Sequence, residues 1–176
     1  MQFTAVFLLA LVAQSDAKKT PAPAKITITA ETACGHCTFG FGDSCALCLK
    51  LDDVTPILLE GKASEEFFES RLSSTLIIVE GTLSVNQDKR LVLKADKARA
   101  YTEKDKDKAP KKGDVRIEGD VIAVNGKAAF RNGEHPISLA GKQTEGKNTT
   151  LTGTLAIDKD GKLRLDSKKP DSRQGK

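Results

Sequence analysis

The 176-residue chain predicts a mostly β fold in which one five-stranded plan is used twice. A repeated hairpin carries most of that expectation. "VEGTLSVNQDKRLVLKAD" (79–96) and "LTGTLAIDKDGKLRLDSK" (151–168) each open on Gly-Thr-Leu, at Gly81 and Gly153, and return as Leu-x-Leu after a polar turn. The spacing from Gly81 to Leu91 equals that from Gly153 to Leu163. Alternation with a period of two puts Leu83, Val85, Leu91 and Leu93 on one face, matched by Leu155, Ile157, Leu163 and Leu165, as half-buried strands require. The likeness extends backwards to opening strands at 25–33 and 114–124. It also takes in "TPILLEGK" (55–62) and "HPISLAGK" (135–142), each with a Pro, apolar strand positions and Gly-Lys.

The copies differ before the final hairpin. The first has "ASEEFFESRLSS", where Ser64 can cap a helix, Glu65 and Glu66 suit its positive end, and Phe68 and Leu72 lie one turn apart. The second has only "QTEGKNTT", which is short and polar enough for a turn. Five strands with a short helix between the third and fourth is the plan of an OB-like Greek-key barrel, so two tandem barrels are expected. A β-sandwich competes, and the helix position favours the barrel. The expected divisions are a signal peptide (1–17), an N-terminal linker (18–24), a first barrel with four cysteines (25–101) and a charged linker (102–113). A second barrel without cysteines (114–168) and a disordered tail (169–176) follow.

Residues 3–13, "FTAVFLLALVA", have the length of an export-signal core and are too short to span a bilayer. Ser15 and Ala17 supply small residues for cleavage, although Met1-Gln2 carries no basic side chain; an uncleaved anchor is the alternative. The expected location is therefore periplasmic or secreted, with no membrane association once the signal is removed. The net charge of +4 is spread among both signs, there is no Trp, and there is one Tyr. Basic tracks and aromatic stacking platforms are both missing from the pattern, so no nucleic-acid partner is expected. An unidentified protein or a metal is the expected partner.

The first copy resembles small exported bacterial proteins of unknown function that carry a CxxC on an OB-like barrel. The residues that carry the resemblance are "ITITAETACGHC" and "IIVEGTLSVNQDKRLVLKA", within about residues 25–100. It implies export and a barrel fold, with the second copy a degenerate echo, and it implies no activity.

Every cysteine falls in "TACGHCTFGFGDSCALCLKL": Cys34 and Cys37 form one CxxC, Cys45 and Cys48 another. The matching stretch of the second copy, "VNGKAAFRNGEH", has none, so the barrel itself does not require them. Three readings stay open. In the first, all four thiolates cage a zinc-like ion, with two tight turns each presenting a pair of sulfurs. In the second, an oxidising compartment makes two structural disulfides of them, and the protein is an adaptor. In the third, "CGHC" is a thiol–disulfide redox pair with Cys34 attacking and Cys37 resolving. A redox site of the thioredoxin type puts its first Cys at a helix N-terminus, and the glycines after Cys37 argue against a helix there. Haem attachment is excluded because neither CxxC is followed by His.

His36 and His135 are expected to be a solvated loop residue and a residue at the start of a strand. Phe39 and Phe41 are expected to cover the cysteines or pack on the barrel. There is no GxSxG and no HExxH. "DKDG" at 158–161 lacks the later ligands of a calcium loop, and Asn148-Thr149-Thr150 fits a glycosylation sequon. The chain thus reads as a non-enzymatic, exported metal-binding or interaction module with Cys34, Cys37, Cys45 and Cys48 as ligands and zinc as the expected ion.

Overall fold

The computed structural model describes residues 22–52, 55–133, 135–140, 144–158 and 160–168. The predicted signal peptide and C-terminal tail lie outside the described residues. The fold is mostly β, with β1 (Lys25–Cys34), β2 (Leu47–Lys50), β3 (Pro56–Glu60), β4 (Leu76–Val85) and β5 (Leu91–Ala100) in its first half. β1 pairs antiparallel with β2, β2 with β3, and β4 with both β1 and β5, while β3 runs parallel to β5. The circuit β1-β2-β3-β5-β4-β1 is a closed five-stranded barrel of OB type.

Further strands follow: β6 (Val115–Val124), β7 (Lys127–Phe130), β8 (Ile137–Leu139), β9 (Gly146–Ile157) and β10 (Leu163–Ser167). They pair in the order β6-β7-β8-β10-β9, and β9 returns to β6. β1 and β6 are joined by their own antiparallel ladder, from Lys25↔Glu118 to Ile28↔Val115. The ten strands therefore form one hydrogen-bonded sheet.

The alternation seen in the sequence is the alternation of burial. Leu83, Leu91, Leu93, Leu155, Leu163 and Leu165 are buried in one apolar cluster with Ile26, Ile28, Ile117 and Phe130, and Val85 and Ile157 pack on its margin. Gly81 and Gly153 are fixed by close approach. A Cβ on either would stand under 3.0 Å from the backbone oxygen of the facing strand, Lys94 or Asp166. Only glycine lets the strands come that close.

The helical stretch between β3 and β4 departs from expectation in detail. α1 (Gly35–Phe39) lies earlier, among the cysteines; α2 (Lys62–Glu66) is followed by a 3-10 turn at Phe68–Leu72. Ser64 lies inside α2 and does not cap it; Gly61 is the N-cap, with no side-chain bond. Leu72 is 68% exposed, so it is Phe67 and Phe68 that pack on the core. The 3-10 turn is instead held to β1 by Thr32, which donates to Ser70 O at 2.6 Å. In the second half, Gly146–Thr150, expected as a turn, is the first part of β9. Its residues pair with β6 across a bulge, a non-local ladder that polarity alone does not reveal.

The segment after β5 is ordered by charge. Asp105 accepts from both guanidinium nitrogens of Arg99, at 2.7 and 2.6 Å, and from Thr102 N and Oγ1. That capping box closes a short 3-10 turn at Glu103–Asp105. These bonds hold the buried Asp105 carboxyl well below the usual carboxylate range, the Arg99 fork being the largest cause.

Candidate metal centre

The site is built where β1 ends. Cys34, the last residue of β1, is also the N-cap of α1, and its sulfur accepts from Cys37 N at 3.4 Å. A thiol there does what Ser or Asp usually does, satisfying a backbone donor that the first helical turn leaves open. The helix ends at Gly40, whose φ of 67° is left-handed; Gly40 N bonds His36 O and Phe41 N bonds Gly35 O, both at 2.9 Å. The glycines after Cys37 thus stop a short helix and do not prevent one, which corrects the sequence-based argument against a helix.

The loop then runs back to β2. Gly35 N bonds Ala46 O at 2.8 Å, and His36 Nδ1 shares a hydrogen bond with Gly42 O, also at 2.8 Å. This fold-back carries Cys45 to the helix, so that Cys37 Sγ and Cys45 Sγ lie 3.9 Å apart. The sulfurs of Cys34, Cys37 and Cys45 all lie within 4.8 Å of one another and could hold a metal ion.

Cys48 stands apart. It faces Ala33 in the β1–β2 ladder and is wholly buried, with its sulfur against Gly35. Burial, then the charge of Cys34, pushes its thiol up to about 12, partly offset by Arg90. All four cysteines are free. The two-disulfide arrangement is therefore not the one the chain adopts here.

Within the trio, acidity and access run opposite ways. Cys34 is buried, while Cys37 and Cys45 are exposed. The amide of Cys37, above all, lowers the Cys34 thiol to about 7, with the thiols of Cys37 and Cys45 adding to it. Cys37 is raised to about 11, chiefly by its bond to the Cys34 side chain. One thiolate thus forms first at Cys34, and the neighbouring thiols stabilise it by hydrogen bonds. A metal ion, which needs thiolates, would displace those remaining protons.

His36 is exposed and is not one of the converging ligands, in keeping with a loop-facing role. Phe39 and Phe41 pair at 5.8 Å between ring centroids, and Arg90, from the β4–β5 turn, lies 4.2 Å over the Phe41 ring. That cation–π contact ties the cysteine loop to the hairpin. It was not read from the sequence, where nothing local connects positions so far apart.

No family model and no curated protein matches the chain. Among solved structures it is similar to a deletion mutant of the single-stranded DNA binding protein from Thermus aquaticus. The identity is 15% over 85% of this chain and 93% of that one, with a TM-score of 0.41. The assignment of the fold rests on the strand pairing itself. The neighbour is itself a single-stranded DNA binding protein, against the expectation that nucleic acid is no partner, and that expectation is withdrawn. Overall charge and aromatic count describe a whole chain, whereas a groove for a phosphate backbone needs only a local basic track. Among the described residues no helix is long and apolar enough to cross a membrane.

Proposed function

We propose that the chain is an exported, non-enzymatic metal-binding protein whose Cys34, Cys37 and Cys45 thiolates hold a soft ion, zinc first. The observation that carries this reading is the convergence of three sulfurs, two of them 3.9 Å apart. Four ligands around zinc at about 2.3 Å would place neighbouring sulfurs about 3.8 Å apart. The fourth position is left to water or an outside ligand, because Cys48 is buried against Gly35 and is not among the converging sulfurs. Export is supported by the apolar leader "FTAVFLLALVA" and the small residues that follow it.

The test uses cobalt(II) as a spectroscopic stand-in for zinc. Titrating the reduced chain without oxygen should give an intense sulfur-to-cobalt charge-transfer band that saturates near one ion per chain. Cys37→Ser and Cys45→Ser should each weaken binding by about tenfold or more. A band that never appears would sink the reading.

A thiol–disulfide role is the second reading, favoured by Cys34 at a helix start with a lowered pKa. Its difficulty is access, since the readily ionised sulfur is the buried one. Turnover of a dithiol substrate by the metal-free chain would decide for it.

We also infer that the two halves are tandem copies of one barrel. Supporting this, the hairpin turns share their principal bonds. Asn86 N bonds Arg90 O as Asp158 N bonds Lys162 O, and the side chains of Asn86 and Asp158 accept from Arg90 N and Lys162 N. Lys89 and Gly161, with φ of 59° and 77°, take the same left-handed place.

A further inference from the structure

We propose that this centre gives up its ion by direct ligand exchange, so that the metal is cargo handed to an acceptor bearing paired thiols. The inference rests on the metal-binding reading and adds to it what the arrangement of exposure allows. Cys34 is the anchoring ligand: it ends β1, it is 1% exposed, and its sulfur is tied to the first turn of α1. Cys37 and Cys45 are both exposed and lie on a helix and loop held by local backbone bonds and by the contact of Arg90 on Phe41. An ion held by these three therefore has its buried side on Cys34 and its uncovered side toward solvent.

Cys48, the one remaining cysteine, is wholly buried and paired into β2, and it is not among the converging sulfurs. A three-thiolate ion with an open vertex can add an incoming sulfur before it loses one of its own. A closed four-thiolate cage has to break a bond first.

The exchange balances without any electron transfer. An acceptor thiol gives up its proton as its sulfur bonds the metal, and Cys45 or Cys37 takes a proton as its own metal–sulfur bond breaks. A second such step moves the ion to the dithiol, and Cys34 lets go last.

Cobalt(II)-loaded full-length chain, mixed with dithiothreitol in the absence of oxygen, tests this by stopped-flow absorbance. The rate at which the protein's charge-transfer band decays should rise in proportion to dithiothreitol over a tenfold range of concentration. A rate that stays constant across that range means the ion leaves before the acceptor arrives, and that overturns the proposal. If no charge-transfer band forms on loading, it is the metal-binding reading that has failed, and the two failures are separate.

Discussion

Cys48 and Gly35 give the sharpest check on the geometry of the site. A Cβ added to Gly35 would stand 2.9 Å from Cys48 Sγ, where ordinary contact needs about 3.5–4.0 Å. Neither partner can give way easily. Gly35 is pinned by its bond to Ala46 O, and Cys48 sits between β1 and β3 with its side chain fully buried. Overpacking of this kind costs about 1–3 kcal/mol. Alanine is a better helix residue than glycine by up to about 1 kcal/mol, so Gly35→Ala should destabilise by about 1–2 kcal/mol net. Cys48→Ala removes one buried sulfur and should cost about 1 kcal/mol. In the double variant the new methyl group fills the space the sulfur leaves. The two changes should then cost less together than their sum, with a coupling of about 1–2 kcal/mol. Urea denaturation of the reduced, metal-free chain measures this cycle, and a cobalt titration of Cys48→Ala should show affinity unchanged within about threefold. Additivity within about 0.5 kcal/mol would refute the packing argument. A loss of cobalt affinity of about tenfold or more in Cys48→Ala would make Cys48 a ligand and refute the three-sulfur centre.

The bidentate Arg99–Asp105 pair makes a prediction about acid. The folded-state pKa of Asp105 is depressed, so its contribution is present above the unfolded carboxylate value, about 3.9, and is lost as pH falls below it toward the folded value. Melting temperature should therefore fall more steeply below pH 4 in the parent than in Asp105→Asn, which starts lower at pH 7; parallel curves would contradict this. Gly81→Ala and Gly153→Ala should each cost about 1–3 kcal/mol in urea denaturation, because each would drive a methyl group into facing backbone. A variant at either position that melts like the parent would show that the facing strands can move apart.

What could be read from the chain was whatever repeats or alternates. The period-two pattern at Leu83–Leu93 and Leu155–Leu165 points to the buried side chains, and all six leucines on that face are buried while Val85 and Ile157 lie at its margin. The clustering of cysteines located the site, and the seven residues between the two CxxC units were enough for a fold-back. Which cysteines converge was not legible. It depends on register: Ala33 faces Cys48 and Cys34 faces Leu47, so Cys34 and Cys48 lie on opposite faces of the β1–β2 ladder. A shift of one residue would exchange those faces, and nothing in the spacing of the cysteines sets it. The helix was misjudged for a different reason. Gly40 and Gly42 were weighed as helix breakers within the motif, whereas one turn further on, Gly40 is a left-handed stop that a short helix needs.

The second half of the chain shows why the cysteine loop calls for a functional account. There, β6 and β7 are joined through Asn125 and Gly126 alone, both with positive φ, 52° and 75°. That is the two-residue type I′ hairpin, whose twist suits the strands it joins. In the first half the corresponding β1–β2 connection runs from Gly35 to Ala46 and holds α1 and two of the four cysteines, Cys37 and Cys45, with Cys34 and Cys48 on its flanking strands. Closing a loop about six times longer costs about 1.5 kcal/mol more in chain entropy, before any cost of ordering α1. The local bonds within the loop, Gly35 N to Ala46 O and His36 to Gly42 O, are few and partly exposed. Beyond the cation–π contact of Phe41 with Arg90, which contributes about 0.5–1 kcal/mol when exposed, little in the loop offsets that cost. Three thiolates sharing one ion would offset the added entropy many times over, since a structural zinc contributes about 10 kcal/mol or more of binding energy to the site it closes. On the metal-binding proposal, loading is what would make the long loop worth its entropy, and amide exchange across Gly35–Ala46 should slow when the ion is bound.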